Sequence, residues 1–152
     1  MRMRKTICLV AICALLLTVP VRAEKKAITP PEFARRPGAP ALPFSPGMLV
    51  DGTLYVAGQI GRNLKTGEIP ADFEQEVQTC LDDIGIILKA AGMSYDDVVS
   101  VQVYLTDIDL FSKMNGVYAK VFKNPRPART TVGVTKLAAP NAHVEITVTA
   151  RK

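Results

Sequence analysis

The sequence predicts an α+β domain, with two helices packed on one face of a mixed β-sheet in the order β-β-α-β-α-β-β. Three observations predict it. A tight hairpin signal spans residues 48–57, a long apolar stripe of helical period covers 70–92, and two strand-like runs come last, at 128–132 and 143–148.

The elements follow in order. Met48-Leu49-Val50 and Thr53-Leu54-Tyr55-Val56-Ala57 flank Asp51-Gly52, a pair that supplies the positive φ values a type I′ turn needs. Pro70-Ala71-Asp72 starts the main helix, with Asp72 as N-cap and Glu74 and Glu76 favourable in its first turn. Phe73, Val77, Cys80, Leu81, Ile84, Leu88 and Ala91 recur at three- and four-residue steps, and Gly92 is the C′ glycine that ends the helix. Ser94-Tyr95-Asp96-Asp97 reads as a short capped turn into an alternating strand over 99–105. Asp107-Ile108-Asp109 caps a second helix running to Phe122, with Phe111, Met114, Tyr118 and Val121 or Phe122 on one side. Pro125 and Pro127 then break it.

At 152 residues the chain is long enough for one core, not two. Arg2, Arg4 and Lys5 precede an uncharged run over 6–21, and Val21-Arg22-Ala23 offers a cleavage site. This layout predicts a secretory signal peptide at 1–23 and a periplasmic or secreted protein. The alternative is an uncleaved anchor, but the run falls short of the roughly 20 apolar residues a spanning helix wants, and Pro20 ends it. No membrane association is expected once the leader is gone. Residues 24–43 are proline-rich and read as an extended tether or loosely packed lead-in, which leaves 44–152 as the domain proper.

Of the 19 Lys+Arg against 14 Asp+Glu, four bases and no acid lie in the leader, so the mature part stands at 15 against 14, a net +1. The basic character therefore belongs to the leader, and no nucleic-acid partner is expected. Cys8 and Cys13 leave with the leader as well. Cys80 is left alone, and its helical position favours burial over reactivity. A lone His143 without Cys or carboxylate spacing predicts no metal site and reads as a strand residue without a role. Asp82-Asp83 and Asp96-Asp97 read as helix-surface or cap residues, poor candidates for an acid/base pair.

The chemistry points to Arg129 and Glu145. A single glutamate inside the apolar run Val144-Glu145-Ile146-Thr147-Val148 is costly unless it is paired, hydrogen-bonded or solvated. Arg129 is its natural partner, because a planar, permanently charged fork suits a carboxylate. Together they suggest a pocket that binds a small carboxylate and positions water. The plainer alternative is a surface arginine and a glutamate on a wet sheet face.

Segments Asp51-Gly52-Thr53-Leu54-Tyr55-Val56-Ala57-Gly58-Gln59-Ile60, Lys65-Thr66-Gly67-Glu68-Ile69-Pro70, Asn115-Gly116-Val117-Tyr118, Arg126-Pro127-Ala128-Arg129-Thr130 and Val144-Glu145-Ile146 resemble the RidA/YjgF family in order and spacing, over about Phe44 to Lys152. The resemblance implies a chorismate-mutase-like homotrimer with sites in the clefts between subunits. It also implies hydrolytic deamination of enamine/imine intermediates such as 2-aminoacrylate to 2-keto acids and ammonia, with no cofactor. Arg129 would hold the substrate carboxylate, and Glu145 would position the water.

Gly58 matches the family glycine beside the pocket, or else marks a strand end or bulge. Asn115 matches the family Asn-x-x-Tyr, or is an exposed helical asparagine. Phe44 stands where the family commonly has Tyr, Thr131 where many members have Cys, and Ala57 where many have Ser. Such a pocket is more apolar than the family's, which predicts larger substrate side chains or weakened catalysis. The alternatives in function are a non-catalytic binder of small carboxylates such as 2-keto acids, and a ribonuclease or translation inhibitor; the near-neutral mature charge speaks against the last.

Overall fold

The computed structural model describes residues 23–34 and 40–152, so the leader expected at 1–23 lies outside the described residues apart from Ala23. In chain order the elements are β1 (Lys25–Ile28), β2 (Gly47–Val50), β3 (Thr53–Val56), β4 (Gln59–Ile60), α1 (Phe73–Ala90), β5 (Val98–Leu105), α2 (Phe111–Val121), β6 (Ala128–Gly133) and β7 (Val144–Arg151). The sheet runs β1-β2-β3-β7-β5-β6, with β4 also pairing β7. Among the described residues only β5 and β6 are parallel. The mixed sheet with both long helices on one face is as the sequence predicts.

Local chemistry sets each boundary. Asp51 and Gly52 have φ of 46° and 74°, the left-handed pair of a type I′ turn joining β2 to β3. Asp72 accepts a hydrogen bond from the Gln75 amide at 2.8 Å and caps α1. At the other end, Gly92 N–H donates to Lys89 O and Met93 N–H to Leu88 O, both at 2.9 Å, which satisfies carbonyls the helix leaves unpaired. Ser94 and Asp97 cap the turn before β5 reciprocally. Asp107 caps a single 3-10 turn, Ile108–Leu110, that runs directly into α2.

The core lies between the helices and β7. Val77, Cys80, Leu81, Ile84 and Ile87 of α1, with Met114 and Val117 of α2, bury against Val144, Ile146, Val148 and Ala150. Cys80 is inside, as expected, its thiol donating to the Gln59 carbonyl at 3.0 Å and pushed well up in pKa by burial. Since β7 alternates, Glu145, Thr147 and Thr149 face the side without helices and stay half-buried.

The structure corrects three expectations. The lead-in is no tether throughout: Lys25–Ile28 pairs with β2, and Ile28 drops into the core at 4 % exposure, because this stretch precedes Pro30, the first proline of the lead-in, and can still form a ladder. His143 is engaged rather than idle. Its ring Nδ1 lies 2.9 Å from Oε2 of the fully buried Glu76, whose Oε1 accepts from His143 N at 2.7 Å and Val144 N at 3.3 Å. This carboxylate ties the first turn of α1 to the start of β7. Asp83 is not on the helix surface but buried, and burial, with Asp82 beside it, raises its pKa to about 7.

Candidate functional site

The candidate residues fall into two groups. Arg129 and Thr131 sit two apart on β6 and share its helix-facing side. The Arg129 guanidinium lies 4.5 Å from the Tyr118 ring centroid and 5.6 Å from that of Phe111, held by cation–π contact with α2. Asn115, one turn before Tyr118, lines the same cleft, a space of about 410 Å³ bounded also by Ala119, Arg126 and Pro127. Two polar atoms here are buried without partners, the Tyr118 hydroxyl and Thr131 Oγ1. Burial raises the Tyr118 pKa, while Arg129 and then Arg126 pull it down, so both cations act on that hydroxyl.

Glu145 belongs to the second group. β7 pairs with β3 through 149–151 and with β4 through 145–146. Residues 57–58 leave the ladder between those pairings, and Thr147 Oγ1 donates to the Val56 carbonyl there. The Gly58 backbone then passes directly over Glu145. A Cβ on Gly58 would stand 1.9 Å from Glu145 Oε1 and 2.9 Å from its Cδ, so only glycine leaves the carboxylate its place. Gly58 thus marks a strand end, where its missing side chain makes room for the Glu145 carboxylate. Burial raises the pKa of Glu145. Gly58 also lines an apolar hollow of about 210 Å³ with Phe44, Leu42, Pro46, Leu64 and the buried Asp83; the Phe44 ring is 54 % exposed at its mouth.

The expected pairing of Arg129 with Glu145 is not made within one chain. Arg129 points to the helix layer and Glu145 to the bare side of the sheet, and among the described residues the one ion pair is His143 with Glu76. The reason lies in register: Val101 stands opposite Arg129 and Tyr104 opposite Glu145, neighbours of opposite parity on β5. One chain therefore keeps the candidates apart: Arg129 and Asn115 line one cleft with Thr131 on the same strand face, Glu145 lies under Gly58, and Gly58 with Phe44 lines the separate hollow. Tyr118 and Arg126 were not among the sequence candidates. The signals for them were present, since Tyr118 follows Asn115 by one helical turn and Arg126 precedes Arg129 by three residues.

A family model described as Endoribonuclease L-PSP matches residues 34–152. A RutC family protein of Aquifex aeolicus is 39% identical over 115 residues, covering 74% of this chain and 91% of its own. A 2-iminobutanoate/2-iminopropanoate deaminase of Bos taurus is 41% identical over 96 residues, 62% of this chain and 70% of that protein. Among solved structures, RidA from an Antarctic Psychrobacter superposes with a TM-score of 0.75 at 30% identity, covering 84% of this chain and 100% of that one.

Proposed function

The chain belongs to the Endoribonuclease L-PSP family, the RidA/YjgF group, and from that premise we propose that it hydrolyses reactive 2-imino acids to 2-keto acids and ammonia. One observation carries the reading: a guanidinium in a small cleft and a partly desolvated carboxylate, neither paired among the described residues, form complementary half-sites on opposite sides of one sheet. Joining them takes a second copy, with Arg129 of one facing Glu145 of the other. The homotrimer implied by the resemblance would supply such a cleft.

In this mechanism Arg129 binds the substrate carboxylate and the Asn115 amide orients the imine. Glu145 accepts a proton from water as its oxygen bonds to the C=N carbon, and the imine nitrogen is protonated. The resulting carbinolamine then collapses: its hydroxyl proton passes by way of Glu145 to the amine nitrogen, the C–N bond breaks, and ammonia departs from the new ketone. Burial of Glu145 suits this step, because a carboxylate with a raised pKa is the better base. Phe44 closes one wall without offering a hydroxyl, and Thr131 stands where a thiol is absent.

The test generates imino acids in situ with an amino-acid oxidase and follows their lifetime by semicarbazide trapping. The wild type shortens that lifetime and Arg129→Ala does not. Equal lifetimes with and without protein, across small and bulky imines, would sink the reading. The unpartnered Thr131 hydroxyl and the ring at Phe44 favour a second reading, a carboxylate binder without turnover, which 2-keto acid binding in the absence of hydrolysis would support. Export remains part of the proposal. β1 begins just after Ala23, so cleavage there would leave the sheet whole, and N-terminal sequencing of periplasmic protein should read Glu24 first.

A further inference from the structure

The cationic cleft holds more charge than a monocarboxylate needs. Arg126 and Arg129 line it together with Asn115 and Tyr118. Neither guanidinium has a carboxylate partner among the described residues, and residues 1–22 and 35–39 contain no acid at all. The Arg126 Nε–H donates to the Phe122 carbonyl at 3.3 Å, which fixes the root of its fork and leaves the terminal amino groups to the cleft. Arg129 is fixed differently, by the rings of Tyr118 and Phe111. The Tyr118 side chain lines the same cleft, 4 % exposed, its hydroxyl without a partner among the described residues. A buried hydroxyl without a hydrogen bond is costly, and a carboxylate drawn in by the cations would satisfy it.

We propose that this cleft selects dicarboxylic substrates, four- or five-carbon 2-imino acids whose second carboxylate is taken by Arg126 and the Tyr118 hydroxyl while Arg129 holds the first. A monoanion would neutralise one guanidinium and leave the other beside it without a counter-charge. A dianion matches both, and the cleft of about 410 Å³ has room for it. The larger side chain that the apolar changes at Phe44 and Ala57 suggest is then an acidic one on this side of the site. The inference rests on the hydrolase reading for the reaction, and on the cleft alone for the ligand.

Titration calorimetry separates the two. The probes are 2-oxoglutarate and pyruvate, dicarboxylic and monocarboxylic products of the proposed reaction. The wild type should bind 2-oxoglutarate at least about tenfold more tightly. Arg126→Gln should bring the ratio to within about twofold of unity, and Arg126→Lys, which keeps the charge and loses the fork, should retain part of it. Equal affinities in the wild type, no binding of either, or a ratio unmoved by Arg126→Gln would each overturn the inference. Selective binding without imine hydrolysis would uphold the cleft and remove the hydrolase reading. Hydrolysis with equal kcat/KM for the imines of alanine and glutamate would do the reverse.

Discussion

The cleft between α2 and β6 and the bare sheet side at β4 and β7 hold charge by opposite means. On the helix side, positive charge is held by what is present: two aromatic rings and a backbone carbonyl grip Arg129 and Arg126. On the bare side, negative charge is held by what is missing, since the carboxylate of Glu145 occupies the volume a side chain at position 58 would fill. A gripped group tolerates changes in its surroundings. A group that fits a gap does not. Glu76 sharpens the contrast, being a fully buried carboxylate with two backbone donors and an imidazole, which leaves it nothing to do chemically.

The strongest way to break the carboxylate side is Glu145→Gln, which keeps shape and removes the base. Imine hydrolysis should fall by about 10²–10⁴-fold. The wild-type profile should lose activity as pH drops through a pKa above the usual glutamate value, because the carboxylate is the working form and burial favours its protonated one. That inflection should vanish in the variant. On the cationic side, Arg129→Ala should cost about 10²-fold in kcat/KM, the loss expected for charge-assisted hydrogen bonds to a substrate carboxylate. Co-refolding the two inactive variants sharpens the comparison further. If each cleft draws one half-site from each of two copies, about a quarter of the clefts in a random mixture regain both, and activity returns accordingly. No recovery would place both halves of the site elsewhere.

Smaller effects probe the gap itself. Gly58→Ala should still fold, because Glu145 can swing aside, yet it should lose about tenfold in activity as the carboxylate leaves its position. Asp83→Asn reports on the hollow behind Phe44. With a folded pKa near 7 against an ordinary carboxylate value, native Asp83 binds more protons than the unfolded chain between those limits, so its contribution to stability declines as pH rises through that window. Asp83→Asn should flatten this slope and gain about 1–3 kcal/mol at pH 8 in urea melts.

What the sequence made legible was local. The Asp51-Gly52 turn, the Asp72 cap, the Gly92 terminus and the burial of Cys80 each depend on neighbours a few residues away. The two-helix arrangement followed from periodicity. The faces of Arg129 and Glu145 did not, because alternation relates residues within one strand and only register relates two strands. Glu76 and Asp83 were missed for a related reason: an apolar stripe is counted by its apolar members, and a carboxylate inside it looks like surface until its donors are found. β1 was too short to show alternation, and the prolines that follow it obscured it.

The place of β7 in the sheet bears on the order in which the protein can be made. Among the described residues this strand alone links the β1–β2–β3 side to the β5–β6 pair, and it also carries β4. A chain emerging from a ribosome therefore holds its sheet as two unconnected pieces until residues 144–151 arrive. Those contacts span much of the sequence, which slows closure. Glu145 rides on the same strand, so the group proposed to act on water is delivered by the event that completes the fold.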